Sequence, residues 1–252
     1  MEFRKSPQDN LATKALPKPL LAAIEHIFAS KIEGCGLVGG TGLAGYYAGH
    51  RRSDDLDLFT RDETAQKMAV AAVKSLQKMG ANIQDERNSP DYYHALIELR
   101  GHAFTADVVL DKNIHVVGAF ETTSNGVSVA TLDTLQMMKV AALVSRCSAK
   151  DLFDVIWLKN NFRDCGVEEL VNLGQQVDRG VNAESLLMSL CGSTLREDGC
   201  HFSLNTSTTP KEILNQISEY KLSLQVDLAH HLEKSNVAPP IALLIRKFKK
   251  WL

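Results

Sequence analysis

The feature that most constrains this chain is a pair of aspartates, Asp55 and Asp57, separated by one leucine and followed by Leu58 and Phe59. Acidic and apolar residues in alternation predict a β-strand, Leu56 to Thr60, whose successive side chains point to opposite faces. Asp55 and Asp57 then aim to one side while Leu56 and Leu58 turn into a core. Two carboxylates held side by side repel unless a cation lies between them. Magnesium suits such a pair, because it takes a few carboxylates and keeps positions for phosphate oxygens.

The residues just before this strand strengthen that reading. Gly34 to Val38 reads as a short buried strand ending in Gly39-Gly40, and a helix from Thr41 to Gly49 is predicted directly after it. Glycines at a strand-to-helix junction let backbone approach a ligand closely. The free N–H groups of a helix start favour an anion such as a triphosphate, and Thr41 adds a hydroxyl. The GxxxxGK[ST] pattern of a P-loop is absent. A third carboxylate is expected on a neighbouring strand, and Asp107 fits, alone in the apolar run Phe104-Thr-Ala-Asp107-Val-Val. An acid there is costly to bury unless it is paired or bound to metal. Two magnesium ions held by Asp55, Asp57 and Asp107 would support an in-line phosphoryl displacement. Taken singly, the glycine pair reads as a turn and the Asp-x-Asp as a solvated edge; their order along the chain carries the argument.

The remaining pattern places this strand in a mixed sheet. Helices are predicted at Leu16 to Ile32 and at Asp62 to Met79, the latter stopped by Gly80. Strands are predicted at Asn82 to Arg87, Tyr93 to Arg100 and Phe104 to Leu110, with a turn at Gly101-His102 between the last two. From Thr131 the character changes. Helices are expected at Thr131 to Ser145 and Ala149 to Asn160, and after Gly166 only helical patterns follow, including Lys211 to Lys234 and Ile241 to Trp251. Thr208 or Thr209 would cap the helix that Pro210 opens. The expected fold class is α+β: a small mixed sheet with helices over residues 1–130, then a helical half over residues 131–252 that completes the active site.

Composition limits the partners. No apolar run approaches the roughly 20 residues of a membrane span. The polar residues after Met1-Glu2-Phe3-Arg4-Lys5 do not read as a secretory signal. Cys35, Cys147, Cys165, Cys191 and Cys200 are an odd, scattered set, so the expectation is a cytoplasmic protein with free thiols. The net charge is −2, so any nucleic-acid contact must come from a local patch. The densest basic stretch is Arg246-Lys-Phe-Lys-Lys250-Trp-Leu, where Phe248 and Trp251 could stack on bases. The simpler reading of that tail is a helix docked by Ile241, Leu244 and Phe248. His50 reads as structural; His94, His102, His115, His201, His230 and His231 lack metal-ligand spacing such as HExxH.

These residues resemble a known family. Gly39-Gly40-Thr41-Gly-Leu43, then Gly49-His50-Arg51-Arg52-Ser53-Asp-Asp55-Leu-Asp57-Leu-Phe59, is similar to the signature of the abortive-infection nucleotidyltransferase toxins of AbiEii type. These belong to the polymerase β-like nucleotidyltransferase superfamily. A second block, Lys139, Arg146 and Lys150-Asp151-Leu-Phe-Asp154, looks like the family's later motifs, so that the resemblance covers residues 36 to 158. Gly42 and Gly45 depart from residues that are commonly alanine or larger.

The resemblance implies a magnesium-dependent enzyme that uses a nucleoside triphosphate. Some members add nucleotides to the acceptor end of tRNA, and many are encoded beside an antitoxin. Carried over, Asp55 and Asp57 would hold metal, Lys139 would contact the triphosphate, and Asp151 would complete the site. Gly39, Gly40, Thr41, Arg52 and Ser53 are the further candidates for the nucleotide. A small molecule or a protein hydroxyl remains an alternative acceptor, and a non-catalytic nucleotide-binding protein an alternative class.

Overall fold

The computed structural model describes residues 6–234. The predicted helix Ile241 to Trp251 and the basic tail fall outside the described residues. Two compact units emerge: the first runs to Leu135 and takes in Phe202–Thr206, and the second comprises Gln136–His201 and the chain from Ser207 on. The division falls inside a helix, past the boundary at residue 130 that the change of pattern suggested.

The first unit opens with α1 (Asp9–Ala15) and α2 (Lys18–Phe28). One helix was expected over Leu16 to Ile32. Pro17 instead stands at the N-cap of α2 with Pro19 in its first turn, since proline lacks the N–H that a helix interior needs. Then come β1 (Cys35–Leu37), α3 (Gly39–Leu43), β2 (Asp55–Thr60), α4 (Glu63–Lys74), β3 (Asn82–Asn88), β4 (Tyr92–Leu99), β5 (His102–Leu110), α5 (Ile114–Val117), β6 (Phe120–Thr122) and β7 (Ser128–Ala130). Helix α3 starts at the glycine pair itself rather than after it. It widens into a π turn over Ala44–Ala48 and stops at Gly49. The Asp62 carboxylate caps α4 through the Ala65 N–H. The backbone bond to Ala65, outweighing partial burial, lowers the Asp62 pKa.

The seven strands form one mixed sheet in the order β3-β4-β5-β2-β1-β7-β6. Strands β2 and β5 run parallel, as do β1 and β7; the other neighbours are antiparallel. The β4–β5 turn is Arg100-Gly101, both at positive φ, with Leu99 facing His102. The expected turn lies one residue late; a two-residue hairpin needs positive φ at both central positions, which His102 in the strand does not supply. The short pieces α5, β6 and β7 had no sequence expectation. Helices α2 and α4 pack against this sheet, and Leu20, Ile24, Leu56, Leu58, Val73, Ala95, Ile97, Ala106 and Val108 are fully buried.

The second unit is helical: α6 (Leu132–Ser145, whose first turn belongs to the first unit), α7 (Ala149–Asn161), α8 (Val167–Val177), α9 (Ala183–Gly192) and α10 (Pro210–Glu233). Thr209 caps α10. Its hydroxyl accepts from the Glu212 N–H, while the Glu212 side chain accepts from the Thr209 N–H. Leu186, Leu187, Leu190, Ile213, Ile217 and Leu228 are buried in this unit. No helix among the described residues is long and apolar enough to cross a membrane.

Candidate active site

Three neighbouring strands, β4, β5 and β2, build one acidic patch. Along β2 the partly exposed Asp55 and Asp57 alternate with the fully buried Leu56 and Leu58. Strand β5 sits parallel beside it, with Thr105 opposite Asp55 and Asp107 opposite Asp57. Directly paired residues share a face, so Asp55, Asp57, Thr105 and Asp107 all stand on the face that Leu56, Leu58, Ala106 and Val108 leave. Strand β4 adds His94, opposite Asp107, and Tyr92 two residues earlier on the same face.

Each carboxylate is held differently. The Thr105 hydroxyl donates to Asp55 Oδ1 at 2.9 Å. Asp107 Oδ1 accepts from the Tyr92 hydroxyl at 2.5 Å and lies 2.8 Å from His94 Nδ1. Beside an ionised carboxylate that nitrogen must carry the proton. Partial burial, then the bond to Asp107 and its charge, push the Tyr92 hydroxyl up to about 12, so it stays a donor. The Asp57 carboxylate lies against Gly39: a Cβ at Gly39 would fall 1.9 Å from Asp57 Oδ2, and the backbone there has φ +65°. Only glycine meets both conditions, and the sequence-level junction thereby becomes a seat for one of the acids.

The turn above that seat is braced from inside. Thr41 is 0% exposed and Ser53 1%. The Thr41 hydroxyl lies 3.0 Å from Ser53 Oγ and also against the Asp55 carbonyl. It therefore ties α3 to β2, whereas the sequence suggested a donor turned towards phosphate. Of the two arginines, Arg51 is buried and donates to the Arg52 carbonyl at 2.8 Å. Its guanidinium approaches Gly40, where a Cβ would meet Nη2 at 2.5 Å. Arg52 is exposed, and its N–H donates to the Phe202 carbonyl at 2.7 Å, inside the short segment that the first unit takes from the later chain.

Lys139 and Asp151 lie in the second unit. The Lys139 ammonium sits 3.0 Å from Asp151 Oδ1 and 2.7 Å from Asp154 Oδ2, with all three side chains almost wholly buried. Arg146 holds Asp151 through Nε at 2.7 Å and Nη2 at 3.0 Å, and the Ser148 hydroxyl donates to it at 2.6 Å. Burial pushes the Asp151 carboxyl up, but the Arg146 bond, the charges of Lys139 and Arg146 and the Ser148 bond outweigh it. The net effect holds the carboxyl well below the usual carboxylate range. Asp151 stands in the first turn of α7, and Ser148 caps that helix, its side chain accepting from the Asp151 N–H. Asp154 pairs with Lys139 from the preceding helix.

Sequence reasoning missed Thr105, Tyr92 and His94. Their signal was strand alternation: Thr105 lies two residues before Asp107, and Tyr92 and His94 share a face of a strand paired with it. Spacing rules for histidine metal sites could not find them, because His94 meets a carboxylate.

Among the described residues, no three Asp, Glu, His or Cys side chains are gathered as a metal-binding group. The donors nonetheless suit magnesium. Asp55 and Asp57 offer hard carboxylate oxygens side by side, Asp57 is seated against Gly39, and Asp107 stands one strand over. An ion that keeps most of its positions for water and phosphate needs only one or two carboxylates.

Residues 23–189 match the family described as "Nucleotidyl transferase AbiEii toxin, Type IV TA system". Among solved structures, the chain is similar to MenT4, a nucleotidyltransferase toxin from Mycobacterium tuberculosis H37Rv. The TM-score is 0.50 at 12% identity, over 91% of this chain and 85% of that one. It is also similar to JHP933 from Helicobacter pylori, with a TM-score of 0.46 at 17% identity, over 86% of this chain and 94% of that one. The likeness to MenT4 is one of fold. No curated protein was found to match the sequence.

Proposed function

The chain belongs to the AbiEii family of nucleotidyltransferase toxins, and from that premise we propose that it transfers a nucleoside monophosphate from a nucleoside triphosphate to an acceptor hydroxyl on tRNA. In this reading it is the toxin of a toxin–antitoxin pair acting in the cytoplasm, with a cognate antitoxin as its protein partner. The observation that carries the site is the register that lines up Asp55, Asp57 and Asp107 on one face of the sheet, beside the Gly39–Gly40 turn.

Asp55, Asp57 and Asp107 would hold magnesium. Bound there, the ion would offset triphosphate charge and lower the pKa of the attacking hydroxyl. Thr105 keeps the Asp55 carboxylate aimed across the sheet. The Gly39–Gly40 backbone gives phosphate a close approach, with the exposed Arg52 a candidate counter-charge. Thr41, Ser53 and Arg51 hold the turn rigid from behind. A backbone fixed before substrate arrives costs no reorganisation in the transition state. For Lys139 and Asp151 the family premise supplies the roles of triphosphate contact and site completion; the observation that bears on them is their shared buried network.

A second reading keeps the chemistry and changes the acceptor to a small molecule or a protein hydroxyl. The net charge of −2 favours it, since a chain that grips RNA broadly is basic. The test is incubation with each labelled nucleoside triphosphate, magnesium and total bacterial RNA, with Asp55→Ala/Asp57→Ala as control. Label in tRNA-sized bands only with the intact protein is the expected result. Label on protein alone would move the acceptor to a protein hydroxyl.

A further inference from the structure

Asp107 carries an aromatic bracket. Tyr92 and His94 lie two residues apart on β4, their rings stacked with centroids 6.4 Å apart and planes at 21°. Both reach the same oxygen, Asp107 Oδ1, at 2.5 and 2.8 Å. Among the described residues Oδ2 has no hydrogen-bond partner. The His94 and Asp107 side chains are 24% and 22% exposed, so the arrangement sits at the open face and not in the core. A bracket that binds one oxygen twice fixes the carboxylate's rotation and leaves the other oxygen to point elsewhere. Nothing in the fold requires this: β4 and β5 are already paired along their full length by backbone bonds. A core strand position would not carry a tyrosine 37% exposed.

We propose that Tyr92 and His94 are positioning residues for Asp107, turning its Oδ2 towards the divalent cation that Asp55 and Asp57 share. The proposal rests on the magnesium reading above. The Tyr92 hydroxyl and the His94 Nδ1–H hold one oxygen; the rigid β4–β5 ladder fixes where the bracket stands. Partners of this kind, one bond removed from a metal ligand, orient the ligand, and their loss costs about 10- to 100-fold in metal affinity or activity.

The experiment measures Mn2+ binding to the full chain by the resonance signal of free Mn2+, which needs no acceptor and no turnover. Tyr92→Phe and His94→Ala should each weaken Mn2+ binding about ten-fold. His94→Asn, whose amide nitrogen can take the place of Nδ1, should recover most of the loss. In an Asp107→Ala background neither change should weaken binding further, because the bracket would have nothing left to hold. Tyr92→Phe and His94→Asn are near in shape to the native residues, and equal melting temperatures check that the variants fold. Weakening of the same size in the Asp107→Ala background would overturn the proposal, since the residues would then act on their own. Unchanged binding in Tyr92→Phe and His94→Ala, with Asp107→Ala weakened, would overturn it while leaving Asp107 a ligand. Unchanged binding in Asp107→Ala itself, or none in the native chain, would overturn the magnesium role of Asp107 and the bracket together.

Discussion

Asp57 and Asp107 stand opposite one another in the register of two parallel strands, Asp55–Thr60 and His102–Leu110. Like charges placed directly across a ladder are destabilising. Asp107 is held by Tyr92 and His94, and the Asp57 carboxylate lies close against Gly39.

Asp57→Ala is expected to abolish nucleotide transfer and to leave the fold intact. It removes a carboxylate from the patch but no core volume, since Leu56 and Leu58 face the interior. Transfer is measured with labelled nucleotide, and the fold by circular dichroism and cooperative unfolding. Full transfer by this variant at equal purity would refute the site.

Gly39→Ala should damage both the site and the fold. The left-handed backbone at φ +65° costs a side chain about 1–2 kcal/mol, and the new methyl would displace the Asp57 carboxylate. Denaturant unfolding should show at least that loss, and transfer should fall further than the fraction unfolded explains. Native-like activity would mean that Asp57 does not need its seat.

Lys139→Met should be costly for a different reason. It removes the buried cation that Asp151 and Asp154 share, though Arg146 still holds Asp151, and breaking a buried pair costs about 3–5 kcal/mol. Combining it with Asp151→Asn and Asp154→Asn should restore part of that stability without restoring transfer. Activity should therefore be read only where the variant is shown folded.

The Asp151 carboxyl titrates lower in the folded chain than its ordinary value. A carboxyl lowered on folding contributes stability that is fully present above its unfolded pKa of about 3.9 and lost as pH falls towards the folded value. Stability should hold at neutral pH and drop progressively below about pH 4. Arg146→Ala should lower stability at pH 7 and flatten that acid limb, because it removes a cause of the lowering. A steeper limb in the variant would contradict this assignment.

Much of the site was legible along the chain because a strand alternates. Asp55, Asp57 and the lone Asp107 could be placed on strands from neighbours of the opposite character, and the burial of Leu56, Leu58, Ala106 and Val108 follows the same period. The helix starts were legible where a side chain closes on backbone a few residues away, as Asp62 and Thr209 do. Pro17 is a helix break that the apolar spacing around it conceals.

What sequence alone determined here is local: which segments pleat or coil, which acids share a face with their own neighbours, and the family to which the motif order belongs. Only the tertiary structure decided which strand lies beside which. It set Asp107 opposite Asp57 and brought Tyr92 and His94 onto one oxygen. It turned the Thr41 hydroxyl inward and closed Lys139 between two aspartates. The reason is physical. Alternation and capping depend on bonds within a few residues, whereas strand register and buried charge pairing depend on a global minimum in which distant segments compete for the same partners.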